Sequence, residues 1–237
     1  MIVSIMQPYL FPYIGYYQLA NLSDQFVIYD DVNYIKQGYI NRNYILSNGR
    51  KHRFSAPVER ISSFRKINQH DFDSRITFVL PLFEDAYRSA PNFNMVYPLI
   101  EDVFKGPRNV AAFTSRSIAK VFDYLGTPLR SVYSSDLDIP ISLSGVERVI
   151  YICEALGATT YVNAIGGREL YSAEYFISSG VNLQFIRSIS RPYNQASGQE
   201  FVPFLSIIDV LMHNSIEDTI NMLNDDYELI GPRGSCE

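Results

Sequence analysis

Apolar residues along this chain follow two rhythms. Short, nearly continuous apolar runs at 2–6, 26–30, 129–133, 159–163 and 182–187 predict strands buried on both faces. Between them lie stretches with helical spacing, at 14–22, 75–88, 92–104 and 109–125. The last of these carries Val110, Phe113, Ser117, Val121, Phe122 and Leu125 as one mainly apolar stripe. Gly126 then stops the helix and Pro128 prevents its return. Ser144-Gly145-Val146-Glu147 reads as a capping box opening a helix that turns Val149, Ile150, Cys153 and Leu156 inward. Ser172 caps a short helix bearing Phe176 and Ile177, and Gly180 closes it. Two C-terminal helices follow, one around Ile207, Ile208, Leu211 and Met212, the other capped at Ser215 and packing through Ile220 and Leu223. One region departs from this alternation. Runs at 39–46 and 52–58 flank Ser47-Asn48-Gly49-Arg50, whose Asn-Gly pair predicts a hairpin turn.

Strands alternating with helices at these lengths predict an α/β protein built on a doubly wound parallel sheet. The core is expected from residues 1–36 and 105–237, with 37–104 inserted as a hairpin and helical cap. In the usual order for such a sheet, 3-2-1-4-5, the first and fourth strands are neighbours. A ligand crevice is then expected outside their carboxyl ends.

Composition sharpens the class. The 237 residues carry 20 Lys and Arg against 25 Asp and Glu, a net charge of −5, which argues against nucleic acid as a partner. Only two cysteines, Cys153 and Cys236, are present, too few for a disulfide framework. The apolar start lacks a basic segment and is cut short by Gln7-Pro8, so it reads as a strand and not a signal peptide. No apolar run approaches the roughly 20 residues a membrane span needs. These features predict a cytoplasmic protein without membrane insertion. Aromatic usage is lopsided, with 18 Tyr and 15 Phe but no Trp, and many of the tyrosines crowd into the first 45 residues.

The expected crevice singles out two loops. The first runs Gln7-Pro8-Tyr9-Leu10-Phe11-Pro12-Tyr13-Ile14-Gly15-Tyr16, and the second Asn163-Ala164-Ile165-Gly166-Gly167-Arg168. A polar residue ending each buried strand, Gln7 and Asn163, and a glycine pair that admits a ligand to the backbone suit a binding site. Both loops are also readable as plain turns. A third cluster joins Asp30, Asp31, Tyr34 and Lys36 to Asn41, Arg42 and Asn43. Paired carboxylates at a strand end can hold Mg²⁺ or serve as acid and base, and Arg42 can fork onto a phosphate. The same residues also fit a solvated turn with internal ion pairing. His52, His70 and His213 lack metal-ligand spacing; His213 is placed to cap a helix C-terminus. Asp209, on a mainly apolar helix, calls for a buried hydrogen-bonding network.

Strand, proline-containing loop, x-x-Gly-x at a helix start, Ser-Asp and a second strand resembles the layout of the HIGH nucleotidylyltransferase superfamily, a Rossmann-like fold. Those enzymes carry His-x-Gly-His where this chain has Tyr13-Ile14-Gly15-Tyr16. Tyrosine keeps a donor but supplies no positive charge near neutral pH. A longer resemblance, nearly the whole chain in order, is to the WbqC-like family. It is carried by residues 6–16, by 26–34, by Asn41-Arg42-Asn43, and by 157–163 with Gly166-Gly167. Tyr193-Asn194-Gln195 and residues 204–209 complete it. Tyr39 stands where relatives often have Trp. This resemblance implies a cytosolic step in the biosynthesis of O-antigen or other surface polysaccharide, acting on a nucleotide-linked or amino sugar. The residue reading then expects a transferase acylating or aminoacylating the sugar amine. Gln7, Tyr13, Tyr16, Asn163 and Arg168 would line the crevice; Asp30 or Asp31, helped by Tyr34, would act as base. A non-catalytic nucleotide-sugar-binding protein and a nucleotidylyltransferase-like enzyme remain the alternatives, with a nucleotide or Mg²⁺ as candidate cofactor. Tyr13, Tyr16 and Tyr34 are expected to face the cleft.

Overall fold

The computed structural model describes residues 1–195, 198 and 200–232; Cys236 lies outside them. Its centre is a six-stranded sheet. The strands are β1 (Ile2–Met6), β2 (Gln25–Ile28), β5 (Ser131–Tyr133), β6 (Thr160–Ala164), β7 (Asn182–Ser188) and β8 (Tyr227–Ile230), in the order β5-β2-β1-β6-β7-β8. All neighbours pair in parallel except β7 with β8. The five expected strands and their order are therefore present, with β8 added antiparallel at one edge. Between β2 and β5 lies a two-stranded hairpin, β3 (Arg42–Ser47) and β4 (Arg50–Ser55). Asn48 and Gly49 turn it with φ of 51° and 68°, the left-handed pair such a tight turn requires.

Alternation along the strands sends side chains to two separate cores. Phe26, Ile28, Val162 and Ile186 face one side, where α1 (Ile14–Leu22), α4 (Val110–Leu125), α7 (Ile207–His213) and α8 (Ile216–Asp225) pack. Val3, Ile5, Val27, Tyr161, Leu183 and Phe185 face the other, covered by α5 (Gly145–Ala155) and α6 (Ala173–Ser178). Helices on both faces of a mostly parallel sheet make a Rossmann-like arrangement. Buried residues of the hairpin, of α2 (Leu80–Tyr87) and of α3 (Phe93–Phe104) join the first of these cores and make no second one.

Local details depart from expectation in two places. The helical pattern at 75–88 divides into a 3-10 segment, Ser74–Val79, and α2, because Pro81 near the α2 N-terminus suits the start of a helix and not its interior. Ser144 precedes α5, but its side chain makes no capping bond; the chain enters through Gly145 at φ 55°, out of line for a capping box. Ser172 and Ser215 do accept the amides of Glu174 and Asp218. Among the described residues no helix is long and apolar enough to cross a membrane.

Candidate functional site

The loop leaving β1 is built around a strained residue. Phe11 is buried and holds φ 42°, a conformation a bulky side chain rarely adopts and one that costs about 1–3 kcal/mol. Distant parts of the chain hold it there. Its amide donates to Ser117 Oγ on α4 (3.2 Å), and its carbonyl accepts from Asn43 Nδ2 on β3 (2.7 Å) and from Ser206 Oγ before α7 (2.7 Å). Leu10 N donates to the Ile40 carbonyl (3.2 Å), and Ile207 N to that of Pro12 (2.8 Å). Phe204, across the opening, is the second strained aromatic, at φ 56° and half exposed. Backbone strain of this kind is concentrated at functional surfaces, and the loop of Phe11 and the segment of Phe204 both border one depression.

That depression is a cleft of about 440 Å³ at the carboxyl ends of β1, β6 and β7. Tyr9, Pro12 and Tyr13 form one wall, and Ile165, Arg187 and Ser188 another. Phe204, with Tyr39 and the hairpin residues Asn43 and Lys51, completes the lining. The rings of Tyr13 and Phe204 meet edge-on at 6.1 Å, and those of Tyr9 and Tyr39 lie 6.0 Å apart. Burial, then the neighbouring Tyr39 hydroxyl, pushes the Tyr9 and Tyr13 phenols up. Both stay protonated at neutral pH and can donate. Lys51 is exposed, with Nζ 4.5 Å from the centre of the Tyr44 ring, while Arg187 pairs with Glu228 at 3.5 Å. Among the described residues no carboxylate or imidazole lines the cleft. The arrangement offers ring faces, hydroxyl groups and positive charge, which suits an anionic ligand with a flat or sugar ring.

The expected residues divide into three groups. Tyr13 and Asn43 line the cleft; the second loop reaches it through Ile165, one residue from Gly166. Gly167 lies tight against Asn163, since a Cβ there meets Nδ2 at 2.6 Å and would displace that amide, whereas Gly166 faces open space. Asn163 Oδ1 accepts its neighbour's amide (2.7 Å), which fixes the end of β6. Gln7 supports the first loop, its carbonyl accepting from Tyr16 Oη at 3.0 Å. Tyr16 itself is packed in the core against Tyr9, Tyr17 and Phe26, and Tyr34 is buried against His70. Of the three tyrosines expected at the cleft, only Tyr13 is there. Tyr16 lies on the inward face of α1, where helical spacing turns it toward the sheet. Burial pushes the Tyr34 phenol up to about 12 despite nearby Arg42.

Asp30 and Asp31 lie at the end of β2, and both are engaged. The oxygens of Asp30 receive Ser135 N (3.1 Å), Ser135 Oγ (2.7 Å) and Asn68 Nδ2 (3.0 Å), while the single Ser134 hydroxyl proton is shared between Asp31 Oδ1 (2.5 Å) and Asp30 Oδ1 (3.1 Å). Three donors occupy most of the lone pairs of Asp30. Asp31 pairs with the buried Arg148 guanidinium, with Lys66 Nζ farther off at 3.9 Å. Asn41 Nδ2 is spent on the Ala56 carbonyl (2.7 Å), and Lys36 is exposed outside the lining. Arg42 borders an adjoining groove, and Arg168 is half-buried beyond the cleft. Asp209 has the network a buried carboxylate needs, accepting Tyr87 Oη (2.8 Å), Tyr193 Oη (2.6 Å) and Gln195 Nε2 (2.9 Å). His213 donates from Nδ1 to the Asp209 carbonyl (2.9 Å), within the last turn of α7. No group of three or more potential metal ligands occurs among the described residues.

Lys51 and Arg187 escaped the sequence reading, while Tyr9, Tyr39 and Phe204 were singled out there without being assigned to the site. Arg187 was within reach, since it stands near the carboxyl end of a predicted strand. Nothing in the local sequence signals the left-handed backbone of Phe204.

Comparison with known proteins gives one well-covered relative. The uncharacterized protein Rv1507c of Mycobacterium tuberculosis is 26% identical over 221 residues, covering 91% of this chain and 94% of its own. No solved structure matches. The family model of the WbqC-like proteins matches residues 7–221, from the first loop through the cleft residues to α8, and the chain belongs to the WbqC-like protein family.

Proposed function

We propose that the cleft binds a nucleotide-linked sugar as a cytosolic step of surface-polysaccharide biosynthesis, the process that family membership suggests. One observation carries this reading: four aromatic rings and two cations, Arg187 paired with Glu228 and Lys51 with no carboxylate partner among the described residues, gather at the switch point between β1 and β6. Rings suit a base or a pyranose face, Lys51 suits phosphate, and the Tyr13 hydroxyl suits a sugar hydroxyl or an amide. Calorimetric titration with UDP- and dTDP-linked amino sugars tests it. A 1:1 complex weakened at least tenfold by Tyr13→Ala is expected. Absence of binding across the panel, or binding indifferent to that substitution, overturns it.

A transferase acting on the amine of the bound sugar is the second reading, favoured by the strain held at Phe11 and Phe204. Incubating protein, amino-sugar nucleotide and acyl or aminoacyl donors, then reading the mass of the nucleotide, separates the two. A mass increase above the uncatalysed reaction supports transfer. Tight binding without conversion supports a protein that senses or delivers its ligand.

A further inference from the structure

A second, more polar groove of about 600 Å³ lies along the hairpin, bounded by Gln37, Gly38, Tyr39, Arg42, Tyr44 and Arg53. Tyr39 lines both, so cleft and groove adjoin at its half-exposed ring. Pairing in the hairpin sets Tyr44 opposite Arg53 and Leu46 opposite Lys51. Directly opposed residues share a face, as do residues two apart on a strand. Arg42, Lys51 and Arg53 thus surround Tyr44 on one face of a two-stranded sheet.

None of these three cations has a carboxylate partner or hydrogen-bond acceptor for its side chain among the described residues. Arg42 Nε is buried without an acceptor. Like charges gathered on one strand face repel, and in a chain of net charge −5 acidic side chains to neutralise them are plentiful. Several other exposed cations do find carboxylates: Arg75 with Asp73, Arg88 with Asp85, Arg191 with Asp226. Gln37, at φ 69°, holds the opposite rim in the left-handed region.

We infer that this groove is the diphosphate subsite: Arg42 and Arg53 grip the phosphates of the ligand, Lys51 bridges groove and cleft, and Tyr39 marks the junction between phosphate and ring. Guanidinium groups match phosphate oxygens in pairs, which an ammonium does not. The subsite therefore selects a diphosphate linkage over a monophosphate. The inference rests on the nucleotide-sugar reading only for what occupies the aromatic cleft.

Two titrations of the intact protein test it separately from that reading. The first uses inorganic pyrophosphate, with orthophosphate as comparison, on wild type and on Arg53→Gln. Arg53 is exposed and unpaired, so its substitution leaves folding intact. Pyrophosphate is expected to bind more tightly than orthophosphate, and Arg53→Gln to weaken it about ten- to hundredfold, the range for a hydrogen bond to a charged group. The second compares a nucleoside monophosphate with the matching nucleoside diphosphate sugar. The step in affinity between them is expected to shrink in Arg53→Gln, the diphosphate sugar losing more than the monophosphate. Nucleotide-sugar binding that ignores Arg53→Gln and Arg42→Gln, with no pyrophosphate binding, overturns the subsite and leaves the cleft reading standing. Pyrophosphate binding lost in Arg53→Gln, with no nucleotide sugar bound, supports the subsite and overturns the cleft reading. If neither probe binds, both fall.

Discussion

Gly15 separates stability from binding. It stands in the first turn of α1, and the ring of Tyr13 lies where its side chain would be. A Cβ at this position meets Cε2, Cζ and Oη of Tyr13 at 2.4, 2.6 and 2.7 Å. Carbon atoms in comfortable contact sit about 3.5–4 Å apart, so in Gly15→Ala the ring must retreat by about 1 Å. The contacting atoms are the far end of a half-buried side chain, which makes the swing cheap. Alanine is also a better helix former than glycine by up to about 1 kcal/mol, less in a first turn. The urea midpoint of Gly15→Ala is therefore expected to equal or exceed that of the wild type. Binding moves the other way. The displaced ring loses its edge contact with Phe204 and its stacking face toward the cleft, where an aromatic pair is worth about 0.5–1.5 kcal/mol. Affinity for a nucleotide-linked sugar should fall between about twofold and tenfold. Urea denaturation and calorimetry on the same preparation read both quantities. A destabilised variant, or one that binds as wild type, would refute the assignment of Gly15 to the placement of Tyr13.

Three further outcomes follow from the same geometry. Phe204→Asn replaces a strained aromatic with a residue that tolerates φ above zero, so stability by thermal melting should change by less than about 1 kcal/mol while ligand affinity drops. Asp209→Ala strands the buried donors of Tyr87, Tyr193 and Gln195, at about 1–3 kcal/mol each; a loss below about 2 kcal/mol in urea would mean the network relaxes freely. His70 accepts the Ser62 amide at Nε2 (3.2 Å) and bonds the Lys66 carbonyl through Nδ1 (2.8 Å), a pattern only the neutral ring satisfies. Burial accordingly lowers its pKa below the ordinary 6.5. Below that value the unfolded chain takes up a proton that the folded one resists, so stability is full above about pH 6.5 and falls as the pH drops toward the folded pKa. Urea midpoints of wild type and His70→Asn across pH 5 to 8, the range in which histidine titrates, should differ in slope only on the acid side.

The sheet was legible because strands buried on both faces leave unbroken apolar runs, and the strand order followed from fold class alone. β8 was not, since Tyr227-Glu228-Leu229-Ile230 is a partly exposed edge with no such run. Residue chemistry proved less informative than residue direction. Tyr13 and Tyr16 look equivalent in the sequence, but one precedes α1 and faces the cleft while the other faces the core. Asp30 and Asp31 fitted either a reactive pair or a turn with local ion pairing, and Ser134, Ser135 and Arg148, which engage them, lie more than a hundred positions away. The cations of β4 were within reach. Once Asn48-Gly49 fixes the hairpin, period-two alternation places Lys51 and Arg53 on the face of Arg42.

The bonds that fix Phe11 span 32, 106 and 195 positions of sequence. Strands β1, β2, β5 and β6 can all be synthesised, and can pair, before Ser206 leaves the ribosome. The cleft cannot, because the loop that walls it holds its conformation only when α4, the hairpin and the segment before α7 have all arrived. On the proposed reading, a copy that lacks the segment before α7 forms the parallel strands of the Rossmann-like sheet but loses one anchor of the loop that walls the cleft, and it should bind the ligand more weakly than the intact protein.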